Sequence, residues 1–126
     1  MPKLSKDSAP ETMDNPMAED RFGEVDGIKF DFVTIRQGHD LAPILKGLPD
    51  DRCTCPHWGY VFKGRLTWTF EDHEEVFEAG DAFYVPPGHT PAAEAGSEFM
   101  QMSPAEEMRP VEEMMKRNME AMATGG

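Results

Sequence analysis

The sequence predicts an all-β fold closed by a C-terminal α-helix, and three observations carry that expectation. Short aromatic and β-branched runs recur between Gly and Pro turns, as in GIKFDFVTI, HWGYVFKG and GDAFYVPPGH, which is how strands and their turns are punctuated. Leu66, Trp68 and Phe70 alternate with Thr67 and Thr69, the period of a half-buried strand. At Ser103 the period changes, and Val111, Met115, Met119 and Met122 fall on one helical stripe with Met114 beside it.

Residues 1–20 combine Pro2, Pro10 and Pro16 with Ser, Asp and Glu and few large apolar side chains, so a tail is expected there, disordered or strapped across a neighbouring subunit. Residues 21–103 form the barrel. Within it Ile28, Phe30 and Phe32 alternate with Lys29 and Asp31 before the phase shifts to Val33 and Ile35, which suggests a strand with a bulge or one buried on both sides. The stretch from Gly38 to Asp51 is a loop, and His39 in it reads as a surface residue. EDHEE is a polar hairpin turn holding His73, Val76 and Phe77 resume the sheet, and Phe83 to Val85 lead to the Pro-Pro-Gly corner. Residues 104–126 are the helix and its tail. Ser103 supplies a hydroxyl cap, Pro104 the first helical position and Glu106 a capping-box carboxylate. Pro110 is expected to kink or restart the helix. The Met-rich stripe suits either a partner or, preferentially, the chain's own barrel or a twin subunit.

A length of 126 residues with 39% hydrophobic and 29% charged residues fits one domain. The 12 basic and 24 acidic side chains give a net charge of -12, which disfavours binding to nucleic acid and to anionic membranes. No run reaches the roughly 20 apolar residues of a membrane span, and the N-terminal residues lack the apolar stretch of a secretory signal. A cytoplasmic location is expected. Cys53 and Cys55, two residues apart, are poorly placed to bridge each other, so both are expected as reduced thiols.

Cys53 to Pro91 contains both cysteines, both tryptophans, both tyrosines and three of the four histidines. Over about residues 25–103 the chain resembles the cupin superfamily, whose signature is G-x5-HxH-x3,4-E-x6-G followed by G-x5-PxG-x2-H-x3-N. Gly80, Pro86 and Gly88 match the second motif in frame, with Asp81 after the opening glycine. Gly64 closes the first motif, but His57 stands at the glutamate position, and the HxH pair falls on Asp51 and Cys53 or on Asp50 and Arg52. Pro91 takes the later histidine position and Ala95 the asparagine position, while His89 stands two residues early. PHWGYVFKG and PPGH resemble a divergent group of small cupins, in which a rearranged site is expected. The resemblance implies a cupin-type double-stranded β-helix, a jelly-roll barrel with a site in its interior, and a homodimer.

The donors for such a site are His57, His89, Cys55 and Cys53, a set that suits zinc, iron or copper over magnesium or calcium. With His57 inward, strand parity turns Cys55 and Cys53 inward too unless Pro56 bulges the strand. Trp58, Tyr60, Trp68, Phe83 and Tyr84 are the expected walls of a pocket for a small molecule. Catalytic residues stay unassigned: Ser97 and Ser103 have no histidine placed to activate them, and no phosphate loop or dinucleotide fingerprint occurs. Three classes fit these residues: a metal-dependent oxygenase or isomerase, a metal-free module that binds or senses a small molecule, and a partner-binding protein working through its Met-rich helix.

Overall fold

The alternating runs become strands and the Met-rich stretch a helix. The computed structural model describes residues 3–124. In order these form β1 (Glu11–Asp14), β2 (Ala18–Val25), β3 (Ile28–Ile35), β4 (His39–Asp40), β5 (His57–Lys63), β6 (Arg65–Thr69), β7 (Glu74–Glu78), β8 (Ala82–Val85), β9 (Thr90–Ala93), β10 (Glu98–Pro104) and α1 (Ala105–Thr124). Two short 3-10 turns, Ala42–Leu45 and Pro49–Asp51, lie between β4 and β5. One sheet runs β1-β2-β3-β10-β5-β8 and the other β4-β9-β6-β7. The all-β jelly roll with a C-terminal helix is therefore the fold.

Parity decides what each strand buries. On β5, His57 and Val61 are buried while Trp58, Tyr60 and Phe62 are exposed. On β8, Phe83 and Val85 are buried and Tyr84 is exposed. Val61, Leu66, Trp68, Phe70, Phe83 and Val85 make one core between the sheets. Gly59 is required on β5, because a Cβ there would stand 2.2 Å from Met100 O and 2.6 Å from Phe83 Cζ. A second cluster, Leu45, Leu48, Cys53, Cys55, Met108 and Val111, joins the 3-10 turns to α1 at one end of the barrel.

Several expectations change. The tail expected over residues 1–20 instead carries β1 and the start of β2, which pair with each other. Asn15 turns the chain between them, its Oδ1 accepting from the N–H groups of Met17 and Ala18 at 2.8 and 3.0 Å; this side-chain turn is what offsets the entropy of ordering so polar a segment. Met1 and Pro2 at one end and Gly125 and Gly126 at the other lie outside the described residues. On β3 it is Lys29 and Asp31 that are buried, with Phe30 and Phe32 half-buried on the outer face. No bulge is needed, since β2 and β3 stay in register from Val25–Ile28 to Ala18–Ile35. Ser103 does not cap the helix: it and Pro104 end β10, and Ala105 N–H instead bonds Gly27 O at 2.9 Å. The helix runs on through Pro110 without restarting. The first half of its apolar face packs on the chain itself, with Met108, Val111, Met114 and Met115 against Leu45 and Leu48, while Met122 is exposed, and Asn118 Nδ2 donates to Ile44 O and Lys46 O.

The burial of Lys29 has an electrostatic reason. Its ammonium lies 3.4 Å from Asp31 Oδ2, pairs with Glu112 on α1, and sits 4.3 Å from the centre of the Phe22 ring. Asp20 joins this group as a carboxylic acid hydrogen-bonded to Asp31. Burial first, and then the charge of Asp31, pushes Asp20 from 3.8 up to about 9. The folded chain thus keeps a proton that the unfolded chain releases, so the stability tied to it is complete below about pH 4 and is lost as pH rises through about 9. Thermal melts should show the unfolding temperature falling from about pH 5 to about pH 9, with Asp20→Asn removing most of that slope. An equal slope in the variant would contradict this account of Asp20.

Candidate metal centre

Two irregular segments bring the chemistry together. Cys53 lies in the loop before β5 and His89 just after the Pro-Pro-Gly corner, and an isolated antiparallel bridge joins them. Cys53 N–H bonds His89 O at 2.9 Å and Gly88 N–H bonds Cys53 O at 2.8 Å. His57, first residue of β5, comes in from the six-stranded sheet. One donor atom from each of Cys53, His57 and His89 lies within 4.8 Å of the others, and Cys53 Sγ is 3.6 Å from His57 Nε2. The three residues are 4%, 3% and 0% exposed.

Each imidazole is held by its Nδ1. His89 Nδ1 lies 2.7 Å from Pro86 O, and a carbonyl can only accept, so the proton is on Nδ1 and Nε2 carries a bare lone pair. That Nε2 is buried without a hydrogen-bond partner. His57 Nδ1 lies 2.7 Å from Ser103 Oγ; with Nδ1 as donor, His57 Nε2 keeps its lone pair toward Cys53 Sγ, 3.6 Å away. This is how metal-binding imidazoles are usually oriented, with the distal nitrogen tied to an oxygen. Burial, then the neighbouring His89 and Lys29, lowers His57 to about 3, and burial lowers His89 against the opposing pull of Pro86 O. Both rings are therefore neutral at pH 7, the ligating form. Burial raises the Cys53 thiol to about 11, so a positive charge in the site is what would release its proton.

Of the four expected donors, Cys55 stands apart. It precedes β5 beside Pro56, where the strand parity that would turn it inward does not hold. Its Sγ lies 3.5 Å from Pro56 O and 3.9 Å from Pro104 O, it packs in the cluster beneath α1, and burial raises it to about 12. The expected walls divide as well. Trp68 and Phe83 are interior, with Trp68 5.0 Å from His89 and 5.9 Å from His57 between ring centres. Trp58, Tyr60 and Tyr84 lie on the outer face of the sheet and cannot line this site, a consequence of His57 pointing inward on the same strand. Trp68 Nε1 is a second buried polar atom without a partner. His39 bonds Gln37 O from β4, and His73 is an exposed turn residue beside Asp72.

Sequence reasoning missed two residues. Ser103 was expected as a helix cap, and its role appears only when β10 and β5 pair, setting Met102 opposite Trp58 and Ser103 near His57. Pro86 contributes through its carbonyl, which no side-chain motif reveals.

The profile of the cupin domain family matches residues 54–96. No curated protein matches the chain. Among solved structures, an RmlC-like cupin from Shewanella frigidimarina is similar with 20% identity and a TM-score of 0.54, over 77% of this chain and 86% of that one. A Rhizobium leguminosarum protein of unknown function shares 17% identity with a TM-score of 0.60, over 82% and 95%. A serine-to-alanine variant of Bacillus subtilis oxalate decarboxylase shares 16% identity with a TM-score of 0.60; this chain is covered over 80% and spans only 28% of that enzyme. Likeness at these identities shows the fold.

Ser103→Ala removes the Nδ1 partner of His57 and leaves a buried imidazole N–H unpaired, so urea unfolding should show a loss of about 1–3 kcal/mol. A loss under about 0.5 kcal/mol, the size of an ordinary surface change, would mean that Ser103 does not hold the ring.

Proposed function

We propose that this chain, a cupin by its jelly-roll fold and its match over residues 54–96, holds a transition metal in its barrel on Cys53 Sγ, His57 Nε2 and His89 Nε2. The observation that carries the reading is His89 Nε2, a fully buried lone pair with no hydrogen-bond partner, facing two other donor atoms. Leaving such an atom unpaired costs about 1–3 kcal/mol, a cost that coordination removes. One thiolate and two neutral imidazoles suit zinc, copper or iron and disfavour magnesium and calcium.

A bound metal would supply Lewis acidity and, for iron or copper, one-electron chemistry. The chain's own residues do the rest. Ser103 and Pro86 O fix the two rings, Cys53 would bind as the thiolate with its proton released to solvent on metal entry, and the buried Trp68 Nε1–H is a donor beside both imidazoles for an oxygen atom of a small guest. Phe70 stands 6.3 Å from His89 between ring centres, and Phe83 packs on Trp68 beside the site. Three protein donors leave coordination free for a substrate, so oxygenase or isomerase chemistry on a compact oxygen-bearing molecule is the enzyme class that fits.

Elemental analysis of the untagged protein purified without chelator tests the reading. About one metal per chain is expected, lost in Cys53→Ala and in His89→Ala and kept in Cys55→Ala. Cobalt-loaded protein should show a thiolate charge-transfer band that Cys53→Ala abolishes. Wild-type protein without metal, even after reconstitution, would leave a metal-free barrel that binds a small molecule as the better reading; metal kept in both triad variants would place the centre elsewhere.

A further inference from the structure

Cys53, His57 and His89 are closed to solvent, so anything that reaches them needs a way in. At the tip of the β6–β7 hairpin two rings stand between His89 and the outside. His73, its side chain 51% exposed, lies flat on Phe70 with ring centres 4.7 Å and planes 7° apart. Phe70 is 9% exposed and stands edge-on to His89, which is 0% exposed, with 6.3 Å between ring centres. What holds this cover is weak. β7 is the edge strand of its sheet, paired on one side only, and the turn is closed by Phe70 N–H to His73 O at 2.8 Å and by Thr69 Oγ1 donating to Glu74 Oε2 at 3.1 Å. Asp72 and Glu75 lie 2.7 and 3.5 Å from the two ring nitrogens of His73, but the Asp72 side chain is 85% exposed, and ion pairs in water hold little.

The far side of Cys53 is built differently. There Leu45, Leu48, Met108 and Val111 pack beneath α1, and parting them would expose several buried apolar side chains to water at once. A fold opens most readily where few buried apolar contacts are lost, and of these two approaches that is the hairpin tip. We propose that Phe70 and His73 form the entrance to the barrel: the tip swings outward, His73 leaves Phe70, Phe70 lifts from His89, and a metal ion or a small guest passes to the centre. The passage of metal rests on the centre proposed above, whereas the opening itself is a property of the chain without metal. A gate of this kind sets how fast the centre fills and empties and leaves the donors untouched.

Thiol labelling of the full chain, stripped of metal, tests the route. In a Cys55→Ala background Cys53 is the single thiol, and its reaction with methyl methanethiosulfonate, a small neutral reagent, reports how often the centre opens. His73→Ala should speed labelling roughly two- to tenfold, the size of one lost aromatic contact, with the urea midpoint unchanged because the residue is exposed. His73→Phe keeps a ring on Phe70 and should label at the unsubstituted rate. Asn118→Ala loosens α1 from Ile44 and Lys46 on the other approach and should leave the rate as it was. Cobalt(II) gives a second readout: in His73→Ala its uptake and release should rise by the same factor with its affinity unchanged. Equal labelling with and without the His73 ring, or faster labelling in Asn118→Ala than in His73→Ala, would overturn the entrance. So would a changed cobalt affinity at an unchanged uptake rate, which would place His73 among the binding groups. A chain that takes up no cobalt would sink the metal centre, and the labelling rates would still decide the route.

Discussion

The site depends on two backbone hydrogen bonds, from Cys53 N–H to His89 O and from Gly88 N–H to Cys53 O. The stretch from Lys46 to Pro56 belongs to neither sheet, and the Pro-Pro-Gly corner offers few amide donors of its own. Without that pair nothing in a ladder would set Cys53 beside His89. With it, a thiol from an irregular loop and an imidazole from a turn are fixed across a single bridge, and His57 needs only the inward parity of β5 to complete the group. Gly88 has a φ of 95°, a conformation that glycine adopts freely, and this bends the corner back onto Cys53.

Part of the remaining interior is polar, with Lys29 and Asp31 buried among the apolar core residues. Lys29, Asp31 and Asp20 face inward from β2 and β3 and are answered by Glu112 on α1. This group ties the helix to the barrel at one point, while Asn118 and the Met108–Val111 contacts tie it at another. The helix thereby covers the end at which Cys53 and Cys55 are buried. A buried ion-pair group of this kind contributes little net stability, since desolvation offsets much of the attraction, but losing one partner is costly. Its value lies in fixing where α1 sits.

The fold was legible where periodicity was clean. The alternation from Leu66 to Phe70, the Gly-Asp and Pro-Pro-Gly turns and the Met stripe each became the expected element. The N-terminal strands were hidden because their turn is made by one asparagine side chain rather than by glycine. The pattern on β3 misled because Phe30 and Phe32 pack on the outer face while a lysine is buried among acids, an inversion that only the partner strands explain. In the site, His57, His89 and Cys53 could be named from residue type and proximity in sequence. Cys55 could not be separated from Cys53, since the parity rule fails at Pro56. The outward direction of Trp58 and Tyr60 was available from parity once His57 was taken as inward; Ser103 was not, because its Oγ meets His57 across strand pairing that no local pattern encodes.

The measurement that bears most directly on the account is X-ray absorption at the metal edge of the loaded wild-type protein. The account predicts one sulfur neighbour at about 2.3 Å and two imidazole nitrogens at about 2.0 Å, the ordinary bond lengths for such donors on zinc. A first shell of oxygen and nitrogen alone, or one with two sulfurs, would contradict a centre built on Cys53, His57 and His89.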